Sequence, residues 1–268
     1  AFTSATSFSA AENQTAIGSV TASDPENNPL SFSISGSELV ITSAGVLSFA
    51  DSPDYETKSS YTATVSVTDG TNSTNQAVTI TVINVNDIAP VFTSPATFSV
   101  AENQTDIGTV TATDAEGDAV TFTISGSELI ITSAGVLTFA SAPDYETTTS
   151  YTATVTATDS VNSTTQDITV SVTNLNDNSP VFTSAASFSA AENQTDIGTV
   201  TATDADTSDT VTFSVSGSEI TITSAGVLSF TTAPDYETKS SYTATVTATD
   251  GTNPVSYTHL RAHETRRY

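Results

Sequence analysis

Apolar residues alternate with Ser and Thr along most of the chain. The first ninety residues contain such stretches at 30–34 (LSFSI), 61–67 (YTATVSV) and 78–82 (VTITV). A period of two with many β-branched residues is typical of half-buried antiparallel strands, and no window shows a convincing helical period. About seven such stretches fit into ninety residues, so the pattern predicts an all-β fold built from immunoglobulin-like Greek-key β-sandwiches.

The whole pattern then repeats with a period of ninety residues. Glu12, Glu102 and Glu192 hold corresponding positions, and near-identical segments begin at Asn84 and Asn174. Self-similarity at this period predicts a linear array of units, each large enough to form its own core. The expected boundaries are 1–90, 91–180 and 181–254.

The end of the chain departs from the repeat. After Asn253 the sequence reads PVSYTHLRAHETRRY, which contains both histidines and all three arginines of the protein, Arg261, Arg266 and Arg267. This break in composition predicts that residues 255–268 are a non-native tail. The third unit would then be incomplete: it would lack its last strand and have a frayed sheet edge.

The composition is strongly acidic. The chain has 30 Asp and Glu against 5 Lys and Arg, and it has no Cys and no Trp. Such a charge repels phosphate, so nucleic acid is a poor partner and cations are the natural ones. The absence of Cys excludes disulfides and thiol chemistry; it fits a secreted chain stabilised by metal and would also fit a cytosolic chain. The sequence shows neither a signal peptide nor an apolar run of membrane-spanning length.

The acidic residues recur in four clusters at corresponding positions of each unit. They are the Glu of AEN, the Asp and Glu of DYE, the acidic pair that follows the second strand, and the Asp that ends the long YTAT strand. In an extended D-x-E segment both side chains point to one side, so the pair can bind one ion. A single loop Asp is commonly just solvated, but four clusters that recur together favour a metal site.

The segments at 84–90 (NVNDIAP) and 174–180 (NLNDNSP) separate the units and are called the linkers below. Their Asn and Asp side chains offer oxygen ligands, and Pro stiffens the chain. Each junction between units is therefore predicted to be a calcium site as well.

These motifs carry a family resemblance. AEN, DYE, TATDAE or TATDAD, TVTATD and N-x-N-D-x-x-P-V-F occur in the order that is characteristic of cadherin repeats, and the match covers nearly the whole chain. The resemblance implies three calcium ions at each junction, bound by the base of one repeat, the linker and the top of the next. Carried over by position, the ligands of the first junction would be Glu12, Asp54, Glu56, Asn86, Asp87, Asp114, Glu116 and Asp159. Those of the second would be Glu102, Asp144, Glu146, Asn176, Asp177, Asn178, Asp204, Asp206 and Asp250.

Each predicted junction gathers seven carboxylates. Carboxylates about 5 Å apart repel each other by roughly 3 kcal/mol at an effective dielectric constant near 20. Without metal the junction should therefore splay, and calcium should convert a jointed chain into a rod. The linkers depart from the family pattern at Asn84 and Asn174, where the family has Asp, so affinity should be lowered. Ile88 offers no side-chain oxygen whereas Asn178 does, which predicts tighter binding at the second junction.

The resemblance implies a calcium-rigidified spacer of an extracellular cell-surface protein that mediates cell adhesion, either with itself or with other surface proteins or glycans. Exchange of an N-terminal Trp between molecules is not expected, since Trp is absent. The alternative is a polysaccharide- or matrix-binding module with structural calcium, which a glycan array would discriminate. An enzyme is disfavoured, because three identical carboxylate centres in tandem would be unusual and no His precedes the tail.

Overall fold

The computed structural model describes residues 1–265, and for residues 258–265 it describes the backbone alone. The described chain consists of strands and loops and contains no helix that could cross a bilayer. The strands of the first unit are β1 Ser7–Ala11, β2 Ala16–Ser19, β3 Ser31–Ile34, β4 Leu39–Ile41, β5 Val46–Phe49, β6 Ser60–Thr68 and β7 Ser73–Ile83.

The other two units repeat these seven strands and add a short ribbon. The strands of the second unit are β8 Val91–Phe92, β9 Thr97–Ala101, β10 Asp106–Thr109, β11 Ala112–Thr113, β12 Thr121–Ile124, β13 Leu129–Ile131, β14 Val136–Phe139, β15 Ser150–Thr158 and β16 Ser163–Thr173. Those of the third are β17 Val181–Phe182, β18 Ser187–Ala191, β19 Asp196–Thr199, β20 Ala202–Thr203, β21 Thr212–Val215, β22 Ile220–Ile222, β23 Val227–Phe230, β24 Ser241–Thr249 and β25 Pro254–Thr265.

Each unit is a sandwich of a four-stranded and a three-stranded sheet. In the second unit the orders are β12-β15-β16-β9 and β10-β14-β13, and the other units have the equivalent orders. In each four-stranded sheet the strand that comes first in the chain pairs in parallel with the one that comes last, as β9 does with β16, and the remaining pairs are antiparallel. The predicted all-β class and tandem sandwich architecture are confirmed.

The alternation of apolar and polar residues places one face of each strand in a core. Three buried clusters are present, each formed by residues of one unit. Leu47, Leu137 and Leu228 hold the same position in the three cores and are almost completely buried. Burial of one such side chain contributes about 1.5–3 kcal/mol, so each unit has the apolar contacts needed for a core of its own.

The structure corrects the prediction that the third unit lacks its last strand. Strand β25 lies between β18 and β24 and is a central strand of its sheet. A strand is held by backbone hydrogen bonds, which do not require the repeat sequence. A bulge between Ala244 and Val246 shifts the register, so that Leu260 and Ala262 take the pairing positions that Ile168 and Val170 have in β16.

Without that one-residue shift, His259 and Arg261 would occupy these two positions, which are buried in the second unit. A bulge is the usual way to change the face that a strand presents. Whether residues 255–268 are non-native stays a prediction, and residues 266–268 lie outside the described part of the chain.

The two short ribbons position the junctions. Each linker leads directly into β8 or β17, which pairs with β11 or β20 respectively. The residues after β11 begin at Asp114 and those after β20 begin at Asp204. The ribbon therefore holds the acidic segment of one unit beside the linker that precedes it.

Candidate metal centre

Four carboxylates meet at each junction. At the first they belong to Glu12, Glu56, Asp87 and Glu116, and at the second to Glu102, Glu146, Asp177 and Asp206. In each set, one oxygen from every residue lies within 4.8 Å of the others. We call each set an inner cluster. Its members come from the base of one unit, the linker and the top of the next unit, so the residues of an inner cluster meet only when the two units adopt this arrangement.

The AEN glutamate is the buried member of each inner cluster. Glu12 and Glu102 are 4% and 2% exposed. Glu102 accepts hydrogen bonds from the backbone N–H of Tyr145 at 2.7 Å and of Leu175 at 2.7 Å, and Glu12 has the equivalent contacts. The carboxylate therefore joins the DYE loop to the start of the linker.

An acidic residue of the following unit holds the linker from the other side. Glu116 accepts the backbone N–H of Ile88 at 2.9 Å and of Asp87 at 3.0 Å. At the second junction Asp206, which is fully buried, accepts from the backbone of Asn178 at 2.8 Å and Asp177 at 3.1 Å. One carboxylate thus orients two consecutive linker residues.

A second group of oxygens includes the linker residue that precedes the cluster aspartate, Asp87 or Asp177. At the first junction it is formed by Asn86 and the buried Asp159, and at the second by Asn176 and Asp250. We call each pair an outer group. The side chain of Asn162 contacts both members of the first pair, and that of Asn253 contacts both members of the second.

Several buried oxygens at the junctions have no hydrogen-bond partner in the described residues. They are Oδ2 of Asp114 and Asp204 and Oδ1 of Asn84 and Asn174. Leaving a buried acceptor unsatisfied costs free energy, and an ion or water is the usual explanation. All of the donors here are carboxylate or amide oxygens, the ligand type that suits calcium. The residues therefore fit a hard divalent cation.

In each inner cluster, the glutamate of the DYE segment has a raised pKa. Burial raises the pKa of Glu56, and the nearby charges of Glu12 and Glu116 add to the increase. The pKa of Glu146 is raised by burial and by its neighbours Asp206 and Glu102. Glu56 and Glu146 thus retain their protons to a higher pH than isolated glutamates do when no cation is bound.

The aspartates of the outer groups have lowered pKa values. Burial acts to raise the pKa of Asp159, but hydrogen bonds from the backbone of Asn162 and Val161 and from the side chain of Asn162 outweigh it. The pKa of Asp250 is also lowered, because the effect of burial is outweighed by hydrogen bonds from Asn253 and Thr252. Both side chains are therefore held in the ionised form that binds cations.

Three of the sequence-predicted ligands lie differently from the rest. Asp54 and Asp144 are outside the inner clusters of the described chain and accept hydrogen bonds from Thr57 and Thr147 in their own turns. The pKa of Asp54 is lowered by its bond to Thr57. Asn178 directs its amide nitrogen, rather than its oxygen, toward Asp177 and Glu146.

The structure also brings in residues that the sequence reasoning left out. Asn84 and Asn174 were counted as lost charges, yet each has a buried free amide oxygen. Their position at the start of the linker could have indicated this, since amide oxygens also bind calcium. The side chains of Asn13 and Asn103 donate to Asp87 and Asp177 respectively, and no sequence signal distinguished these contacts.

The third unit carries part of the same arrangement. Oxygens of Glu192, Asp235 and Glu237 lie within 4.8 Å of one another. In the second unit, oxygens of Asp114, Glu116 and Asp118 likewise lie within 4.8 Å of one another. The third unit therefore groups the same AEN and DYE positions, but its Asp235 joins the cluster whereas Asp54 and Asp144 do not join theirs.

No family model matches the chain. Among curated proteins, it is 34% identical over 181 residues to Cadherin-23 of Homo sapiens, a match that covers 60% of this chain. The chain spans only about 5% of the length of that relative.

Solved structures show the same architecture. The chain matches Mouse Cadherin-23 EC22-24 with a TM-score of 0.78 and 22% identity, covering 97% of this chain and 96% of that one. It matches Protocadherin Gamma B2 extracellular cadherin domains 1-5 with a TM-score of 0.70 and 21% identity, covering 99% and 60% respectively. At these identities the likeness shows the fold.

Proposed function

This chain belongs to the cadherin repeat family, whose repeats are extracellular cell-surface domains, and we propose that it is a calcium-stiffened spacer of an adhesion protein. Binding of calcium at the two junctions would set the angle between successive units. The chain would thereby present an adhesive region, which binds itself or another surface molecule, away from the cell. No catalytic step is part of this role.

The observation that carries the proposal is the composition of the inner clusters. Glu12 and Glu56 belong to one unit, Asp87 to the linker and Glu116 to the next unit, and their oxygens lie within 4.8 Å of one another. Charges of like sign at this distance repel, so a cation among them would stabilise the arrangement. The unsatisfied oxygen of Asp114 supports the same conclusion.

Different groups of residues would supply the charge and the oxygen ligands for calcium. The inner cluster supplies most of the negative charge, the outer group supplies an amide and a carboxylate oxygen, and Asn84 supplies a further amide oxygen. Asp54 and Asp144 would reach the metal by giving up their bonds to Thr57 and Thr147. Calcium itself contributes positive charge and a tolerance for six to eight oxygen ligands.

Small-angle scattering of the whole chain tests the proposal. We expect the maximum dimension to increase and the flexibility to fall when calcium replaces EDTA at constant ionic strength. The double variant Asp87→Asn, Asp177→Asn should require more calcium for the same change, because each junction loses a linker carboxylate. A matched control is Asp106→Asn, Asp196→Asn, which removes two exposed strand carboxylates. Identical scattering curves with and without calcium would refute the proposal.

A further inference from the structure

At each junction, one asparagine outside the predicted ligand set connects the linker to the unit that follows it. Asn162 lies three residues after Asp159, and Asn253 lies three residues after Asp250. Asn162 Nδ2 donates to Asn86 Oδ1 at 2.6 Å and to the Asn86 carbonyl oxygen at 3.3 Å. These contacts span 76 positions of sequence.

The second junction repeats the contact with one addition. Asn253 Nδ2 donates to Asn176 Oδ1 at 2.8 Å, to the Asn178 carbonyl oxygen at 3.0 Å and to the Asn176 carbonyl oxygen at 3.3 Å. It also lies 3.2 Å from Asp250 Oδ2. The two junctions differ in sequence around these residues, so recurrence of the contact argues for a specific role.

The acceptors of this amide are the oxygens of the outer group. Asn86 Oδ1 and Asp159 Oδ2 would be ligands of a cation at that position, and in the structure they surround an amide nitrogen instead. An amide NH₂ has two hydrogens and partial positive charge, so it satisfies the same oxygens that attract a cation. The site between the linker and the following unit can thus hold either the amide nitrogen or a cation.

The first unit provides an internal comparison. Asn72 has the corresponding position, three residues after Asp69, and its amide nitrogen lies 3.2 Å from Asp69 Oδ2. No linker precedes this unit in the described chain. The side chain of Asn72 therefore contacts Asp69 in its own loop and has no linker residue to contact. The contact with Asn86 or Asn176 is therefore what the two later asparagines add.

We propose that Asn162 and Asn253 are amide latches: each pins a linker to the next unit without metal and competes with the outermost cation of its junction. The competition rests on the proposed calcium function, whereas the metal-free contact does not. When the amide leaves, the outer oxygens are freed for the ion. The outer position should then fill last, and the metal-free junction should stay partly ordered.

Hydrogen exchange of the whole chain in EDTA tests the metal-free contact. The backbone N–H groups of Asp87 and Ile88 donate to Glu116, so their exchange reports on separation of the linker from the second unit. Asn162→Ala should accelerate exchange in peptides covering 84–90 by about two- to tenfold, the range expected for the loss of one net hydrogen bond.

Two controls are contained in the same chain. Backbone hydrogen exchange in peptides covering the other linker, 174–180, should be unaltered in Asn162→Ala and accelerated in Asn253→Ala. The matched variant Asn72→Ala removes a local contact with Asp69 and should change neither linker. Unchanged exchange at 84–90 in Asn162→Ala would overturn the latch.

Calcium titration by calorimetry tests the competition. Removal of the amide in Asn162→Ala should tighten the weakest binding step, because the ion no longer displaces a hydrogen-bonded group. Asn162→Asp should tighten it further while also accelerating metal-free exchange. A weaker last step in Asn162→Ala would instead make Asn162 a ligand through its amide oxygen and would refute the competition.

The two proposals fail in different ways. If the unaltered chain shows no calcium binding, the spacer function is wrong, and the exchange experiment still decides whether the amide contact holds the linker. If calcium binds and stiffens the chain but the asparagine variants behave like the unaltered chain, only the latch is wrong.

Discussion

At the scale of single residues, each junction depends on carboxylates held in place by backbone N–H groups. Glu102 is oriented by Tyr145 and Leu175, and Asp206 by two linker residues. These bonds fix the carboxylates before any cation arrives, which lowers the ordering cost of binding. Two exposed members of the inner clusters, Glu56 and Glu146, have pKa values raised by desolvation and by the charges of their neighbours.

The raised pKa values of Glu56 and Glu146 predict a pH dependence. A carboxyl whose pKa is raised above its ordinary 4.5 stabilises the cation-free junction most fully below that value, and this contribution is lost as the pH rises through the raised pKa. The cation-free junctions should therefore become more ordered on acidification from neutral pH toward about 4.5. Calcium binding should weaken over the same range, because protons compete for the same oxygens.

Calorimetric titrations with calcium at pH 7 and pH 5 measure this effect. Glu146→Gln removes one of the titrating groups, so its calcium affinity should be lower at pH 7 and should depend less on pH. An affinity that rises with acidification would contradict the prediction.

At the scale of elements, the turns that connect the strands place strict demands on certain positions. Gly135 follows β13 with φ of +87°, and a Cβ there would lie 2.2 Å from the carbonyl oxygen of Val110. Gly45 and Gly226 have equivalent contacts in the other units. The turn therefore needs glycine both for its backbone conformation and for its close approach to a neighbouring chain segment.

Replacing Gly135 by Ala should destabilise the second unit by about 3 kcal/mol or more, because the clash involves backbone atoms that cannot move aside. Gly126→Ala is the matched control: its φ is +82°, but nothing lies within 4 Å of the added Cβ. That variant should cost only about 1–2 kcal/mol of backbone strain.

Denaturant unfolding of the whole chain, with the second unit followed by hydrogen exchange, compares the two variants. Equal destabilisation by both would show that the close contact with Val110 contributes nothing beyond the backbone strain.

At the scale of the whole molecule, the two junctions share one design with different side chains. Asn178 donates its amide to Asp177, Glu146 and Asp206, whereas Ile88 holds the same linker position at the first junction. This amide can rotate to offer a cation its oxygen, which Ile88 cannot supply. The second junction is therefore expected to bind calcium more tightly than the first.

Exchanging these residues tests that difference. Asn178→Ile should weaken calcium binding at the second junction by about tenfold or more, because losing a group around the ion typically costs roughly 10- to 100-fold in metal affinity, and Ile88→Asn should strengthen the first. Hydrogen exchange of the two linkers during a calcium titration separates the junctions. An unchanged midpoint at 174–180 in Asn178→Ile would contradict the prediction.

Much of the fold follows from local patterns. The alternation at 61–67 predicts the strand β6, and the recurrence of Glu12 at Glu102 and Glu192 predicts the repeating units. The prediction that the third unit lacks its last strand was wrong, because composition says nothing about backbone pairing. Strand β25 forms through main-chain hydrogen bonds, and a bulge at Ala244 adjusts its register.

By itself the sequence determined the strand-forming alternation, the ninety-residue repeat and the oxygen-rich character of the junctions, because these depend on residue type and spacing. Only the tertiary structure decided which carboxylates share an inner cluster, that Asp54 and Asp144 turn away from it, and that Asn162 and Asn253 reach back to the linkers. The contacts of Asn162 and Asn253 join residues more than seventy positions apart. Their formation depends on how two folded units pack against a linker, and no local pattern encodes that.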